Sequence, residues 1–140
     1  MSDSTNKPEI DSGKAETFAA RLLSALNDGA LCLMIAVGHR VGLFDAMREL
    51  SPASSDEISR HAGLNERYVR EWLGAMVTGR VVEVNPESNR YLLPPEHGAF
   101  LTRAAGADNI AVFTQYIGLL GGVEDDIVEC FKNGGGVPYA

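Results

Sequence analysis

Cysteine, histidine and positive charge are all scarce in this chain, and each scarcity removes a class of function. Two cysteines stand in 140 residues, Cys32 and Cys130. They show no CxxC spacing and have no histidine at metal-ligand distance in sequence, so no zinc site is expected. Cys32 lies within an apolar helical pattern, where a reduced, buried thiol is the common state, and a reduced, cytoplasmic setting follows as the expectation. Basic residues number 12 against 19 acids, for a net charge of −7. That balance opposes non-specific attraction to a polyanion. Long apolar runs are missing too. The longest, 30–38, is about half the roughly 18 residues a membrane span requires, and His39 and Arg40 follow at once. The opening MSDSTNKPEIDSGK is polar with mixed charge and has no apolar core, so it reads as a disordered lead-in over 1–13 rather than a signal peptide.

What is present is helical periodicity. Phe18, Leu22, Leu23 and Leu26 recur at helical spacing over 14–28, with Gly29 as the expected stop. The next segment, 30–41, is apolar on nearly every side through Leu31, Leu33, Met34, Ile35 and Val37. Such a helix must be covered all round, which a domain this small cannot do alone, so a partner surface is implied. Leu31, Met34, Ile35 and, further on, Trp72 are therefore the dimer-contact candidates. A short helix over 43–50 follows Gly42, and Ser51-Pro-Ala-Ser-Ser reads as a turn.

From Ser55 to Pro95 the pattern is that of a helix-turn-helix with a wing. Ser54 or Ser55 can cap a helix running to Ala62, with Asp56 and Glu57 in its favourable first turn. Gly63 supplies the positive φ of a tight corner, Leu64 plugs it, and Asn65 can cap a second helix over 66–78. After Gly79 the period changes to two. Val82, Val84, Tyr91 and Leu93 flank the turn Asn85-Pro-Glu-Ser-Asn, which makes a β-hairpin. Helices are further expected over 96–102, over 108–120 with Asp108 as cap, and over 123–132. The fold class is thus mainly α: a winged helix-turn-helix with a short hairpin wing and flanking N- and C-terminal helices. The expected division is lead-in 1–13, winged-helix domain with N-terminal dimerisation helices 14–103, C-terminal helices 104–132 and a glycine-rich linker 133–140.

A winged helix usually suggests DNA, and a DNA-binding transcriptional regulator is the alternative reading. Between 56 and 103, however, six arginines face seven acids, and each arginine of the second helix has an acid beside it. A phosphate-binding face needs unopposed basic residues there and in the wing, so nucleic acid is not the expected partner.

The strings Gly42-Leu43-Phe44-Asp45-Ala46, Gly63-Leu64-Asn65-Glu66-Arg67-Tyr68-Val69-Arg70-Glu71-Trp72-Leu73-Gly74-Ala75-Met76 and Tyr91-Leu92-Leu93-Pro94-Pro95-Glu96-His97 carry a family resemblance. The chain resembles, over about 18–139, the N-terminal winged-helix domain of class I S-adenosylmethionine-dependent methyltransferases, in a bacterial-type small-molecule group. The resemblance implies a homodimerising, substrate-capping domain, a small-molecule methyl acceptor, and a separate Rossmann-like domain that holds S-adenosylmethionine. These 140 residues contain no apolar strand leading into a GxGxG turn. Gly134-Gly135-Gly136 follows Lys132 and Asn133 instead, so no cofactor site is expected in this chain, and it should be inert alone.

No catalytic or metal-binding set emerges. His39 fits a helix C-terminus, His61 and His97 have weak claims, and Glu124, Asp125 and Asp126 suit a helix first turn without an ion. Phe113, Gln115, Tyr116 and Tyr139 mix aromatic and polar groups near the join to the implied second domain. They are the substrate-facing candidates, and the same group would serve a stand-alone ligand-binding module.

Overall fold

A computed structural model describes residues 7–50 and 52–138. Its largest departure from the sequence reading is at Gly29. Helix α1 runs without a break over Ser12–Arg40, 29 residues, where two helices were expected. Gly29 keeps a helical backbone, and a side chain there would meet nothing within 4 Å. A mid-helix glycine costs roughly 1 kcal/mol relative to alanine, which is too little to stop a helix with apolar turns on both sides. Asp11 caps the start, accepting from the Lys14 amide at 3.0 Å.

The winged helix follows. Helix α2 is Leu43–Glu49, entered through Gly42 at φ 77°. Helix α3 is Ser55–Ala62, closed at its start by a capping box in which Ser54 Oγ accepts from the Glu57 amide and Glu57 accepts from the Ser54 amide. Gly63 at φ 68° makes the corner, and Asn65 caps α4, Glu66–Thr78. Strands β1, Glu83–Asn85, and β2, Arg90–Leu92, pair antiparallel with Val84 opposite Tyr91. Ala53 exchanges both backbone hydrogen bonds with Tyr91, so the segment read as a turn also adds a bridge to the wing; its Ser51 lies outside the described residues. Helix α5 is Pro95–Leu101.

Beyond α5 the expected helix over 108–120 is broken. Residues Arg103–Asp108 and Ile110–Thr114 are 3-10 turns, and only Gln115–Gly122 is α-helical, as α6. Asp108 caps nothing. Asn109 takes the junction, and Gly106, at φ 59° and ψ −121°, forces the kink. Helix α7 is Glu124–Asn133.

The core is a single cluster. Phe44, Ile58, Leu73 and Met76 are fully buried at its centre, with Leu43, Met47, Val69, Trp72, Val82 and Leu93 around them. Helix α1 joins this core through Leu31, Met34 and Ile35 and through its buried Ala36 and Gly38. By length and composition α1 could cross a membrane, a property the sequence reading missed by splitting it in two. Its turns from Leu31 to Gly38 are packed on the domain, and Arg21 and Asp28 interrupt the apolar stretch before them.

Candidate functional site

The face that would read DNA is the first candidate, and three of its arginines are paired. Arg70 lies 3.8 Å from Glu66 on α4, and Ser55 Oγ donates to the same carboxylate at 2.8 Å. Arg90 of the wing is tied to Glu57 at 2.8 Å and to the Pro52 carbonyl at 2.7 Å. Arg60 pairs with Asp56, and His61 sits 2.7 Å from Glu49. Glu57 is held below the usual glutamate range, first by the Ser54 amide and further by Arg90. These exposed pairs add little to stability. They do tie up Arg60, Arg70 and Arg90, cations that a nucleic acid would need free, and leave exposed Arg67 of α4 outside these pairs.

The second candidate is apolar. Every residue from 12 to 28 of α1 is exposed, and Phe18, Leu22 and Leu26 form a stripe at four-residue spacing with Leu23 beside it. Phe18 is 67% exposed. At 1.5 Å per residue this is a rod of about 25 Å that none of the other described residues covers. An isolated helix of such length is marginal in water. Helices α6 and α7 present a second bare face through Ile117, Leu119, Leu120, Ile127, Val128 and Phe131, the last 89% exposed.

The four dimer-contact candidates divide differently from expectation. Leu31, Met34 and Ile35 are half-buried and lean on the chain's own core. Trp72 is inside it, 5% exposed, edge-on to Phe44 at 5.1 Å and donating its indole N–H to the Met34 carbonyl at 2.8 Å. Its ring lies flush against α1 because residue 38 is glycine. Trp72 is therefore a core anchor in this chain. Tyr68, grouped with it on the helix stripe, is exposed. The unpartnered surface lies instead one to four turns earlier on α1.

Of the substrate-facing candidates, Phe113 and Tyr116 come together, both exposed, with ring centroids 6.2 Å apart and planes 26° from parallel. Gln115 points elsewhere, into a small cleft of about 170 Å³ between α6 and α1, beside Leu33, Val37 and Arg40. Tyr139 lies outside the described residues. A larger open cleft, about 750 Å³, sits on another side between α2, the wing and α5. Its walls include Met47, Leu50, Leu93 and Pro95, and no sequence signal pointed to it.

Sequence reasoning also missed a polar cluster at the C-terminal end of α1. His39 Nε2 lies 3.0 Å from Asn109 Nδ2, Arg103 donates to the His39 carbonyl at 2.8 Å, and Arg103 pairs with Asp45. Asn109 is 8% exposed. Nothing in its neighbourhood, Ala107-Asp108-Asn109-Ile110, distinguishes it from a surface loop. Among the described residues no group of three or more His, Cys, Asp or Glu could hold a metal. His97 donates from Nδ1 to the Val81 carbonyl, 2.8 Å away.

The sequence profile of the Rv2258c-like winged HTH domain matches residues 29–103, just over half of the chain. The chain belongs to that family. The profile covers the second half of α1, the helix-turn-helix and the wing, the same span over which the core closes. No curated protein matches the chain in sequence. Solved structures extend the likeness at the level of fold. Human N-acetylserotonin methyltransferase in complex with SAM superposes with a TM-score of 0.63 at 15% identity, over 92% of this chain and 36% of that one. The apo form of the S-adenosylmethionine-dependent methyltransferase SibL gives 0.56 at 21% identity, over 81% and 33%. The Rv2258c-like chain thus spans about a third of the length of the methyltransferases it matches. It contains no counterpart of a nucleotide-binding sheet among the described residues: the two strands are the antiparallel wing, and Gly134-Gly135-Gly136 follows a helix.

Proposed function

We propose that this Rv2258c-like winged helix is the dimerising, substrate-capping part of an S-adenosylmethionine-dependent methyltransferase acting on a small molecule. The observation that carries the reading is the bare apolar half of α1, on a fold otherwise shared with the N-terminal part of two such enzymes. A second copy is the natural cover. Burying a leucine or phenylalanine side chain that would otherwise stand in water contributes about 1.5–3 kcal/mol. The stripe on α1 and the face on α6 and α7 are both apolar and do not cover each other within one chain. Phe113 and Tyr116 would offer an aromatic wall to the methyl acceptor, with Gln115 and Tyr139 as further contacts.

Methyl transfer itself needs a site for S-adenosylmethionine, and the described residues do not supply one. The chemistry is assigned to a Rossmann-like domain outside these 140 residues, with this chain inert by itself. A reduced, cytoplasmic setting fits the free thiols of Cys32 and Cys130. Light scattering of the chain should return twice its 15.0 kDa mass, and titration with S-adenosylmethionine should give no binding heat. A monomer at high concentration overturns the dimer reading. Cofactor binding by the chain alone overturns the division of labour.

A regulator of transcription shares the same fold. The paired arginines on α3, α4 and the wing weigh against it.

A further inference from the structure

The polar cluster at the end of α1 has no place in dimerisation or capping, yet four side-chain hydrogen bonds meet in it. Asp45, on α2, accepts from the Arg103 amide at 2.8 Å and pairs with the Arg103 guanidinium. That guanidinium reaches the His39 carbonyl in the last turn of α1. Three residues beyond the Gly106 kink, Asn109 turns its amide toward His39 Nε2, and its Oδ1 is buried with no partner. The backbone then continues into Ile110–Thr114, whose Ala111 is buried against the domain, and on to α6, which lies along α1. The root of everything after α5 is thus held by this cluster together with the packing of Ala111 and α6 against the domain.

The fastening depends on a lone pair. A neutral imidazole protonated at Nδ1 can accept the Asn109 N–H at Nε2, whereas an imidazolium has two donors and no acceptor. Turning the Asn109 amide over would present Oδ1 to the imidazolium but would place the amide hydrogens where Oδ1 is now buried without a partner. An unsatisfied buried donor carries its full desolvation penalty. We propose that the His39–Asn109 contact is an acid-sensitive latch: neutral His39 holds Arg103–Thr114 on α1, and protonation releases that segment together with α6 and α7.

The surroundings agree with this. Burial first, then the Arg103 guanidinium, push the His39 pKa below its ordinary value, with Asp45 acting in the opposite sense. Those are the charged groups facing it from α2 and from the 3-10 turn. Arg40 follows it on α1, exposed Asp108 precedes Asn109, Ile110–Thr114 has no titratable side chain, and α6 has Tyr116 alone. Helix α4 meets this part of α1 with the uncharged Trp72. A pKa lower in the closed state than in the open one means that the open state takes up a proton more readily. Closure is therefore fully favoured above about pH 6.5, the ordinary histidine value, and weakens as pH falls below it. This proposal rests on the fold alone and stands whether or not the chain is part of a methyltransferase.

Hydrogen–deuterium exchange at pH 7.5 and 5.5, at one protein concentration and corrected for intrinsic pH dependence, tests it. Peptides covering 103–122 should lose protection in the wild type at pH 5.5, by up to about tenfold, while α3 and α4 hold theirs. His39→Gln, whose amide oxygen accepts from Asn109 at both pH values, should show no such change. Equal loss in the variant, or loss spread evenly over the domain, overturns the latch. Should His39→Gln fail to fold, ring ¹⁵N titration of the wild type decides. A neutral Nδ1–H tautomer titrating below 6.5 supports the latch, and an Nε2–H tautomer or a value at or above 6.5 refutes it.

Discussion

Substituting alanine for Gly38 tests how α1 is seated. A Cβ at that position would lie 2.2 Å from Trp72 Cζ2, 2.7 Å from Cε2 and 2.9 Å from Nε1. The indole cannot simply step back, because its N–H is bonded to the Met34 carbonyl and its ring packs edge-on to Phe44. Overpacking of this kind costs about 1–3 kcal/mol, and loss of the indole hydrogen bond adds about 1 kcal/mol. Alanine's better helix propensity returns about 1 kcal/mol. The net expectation is a destabilisation of about 2 kcal/mol, or about 8 °C in Tm for a chain of this size. Gly29→Ala is the matched control on the same helix. It meets open space, so only propensity acts, and Tm should rise by about 3 °C. Thermal unfolding by far-UV circular dichroism at fixed protein concentration reads both. Trp72, as the sole tryptophan, adds a site-specific probe, because its emission should shift to the red in Gly38→Ala alone. A Gly38→Ala protein as stable as the wild type would refute the packing argument. A clear loss of stability in Gly29→Ala would refute the continuous helix.

Three further outcomes are expected. Ser54→Ala removes the oxygen that accepts from the Glu57 amide at 3.2 Å and should cost about 1 kcal/mol in denaturant unfolding. Glu57 titrates below its ordinary value of 4.5 in the folded chain, so it contributes stability above that pH and loses it as pH falls. The wild type should accordingly lose stability more steeply than Glu57→Gln in acid unfolding curves below pH 4.5. Fluorescence anisotropy with duplex DNA at low salt should show no binding that weakens with added salt. A strong salt slope would return the helix-turn-helix to nucleic-acid duty.

The winged helix was legible in the sequence because each of its joints is chemically marked. Gly63 at the corner, Asn65 at the cap and the change of period after Gly79 leave one arrangement that buries Ile58, Val69 and Leu73 together. Two features were not legible, for different physical reasons. Gly29 follows Asn27 and Asp28, a cluster that reads as a stop, but the flanking turns supply enough continuity to carry the helix through. Asn109 looks like loop polarity, and only the tertiary approach of Arg103–Asp108 to the end of α1 turns it into a buried partner of His39. The same limit applies at Trp72, which the sequence pattern offers as a core or a dimer contact. An apolar helix stripe does not say which apolar residue meets its own core, and Gly38 made room for this one.

Sedimentation equilibrium of the wild type against Leu22→Asp/Leu26→Asp tests the central claim most directly. Both positions are exposed, far along α1 from the core, so the domain should keep its fold in the variant. The wild type should sediment as a dimer and the variant as a monomer of about 15.0 kDa. A monomeric wild type, or a variant that dimerises as tightly as the wild type, would contradict the assignment of this half of α1 to a second copy of the chain.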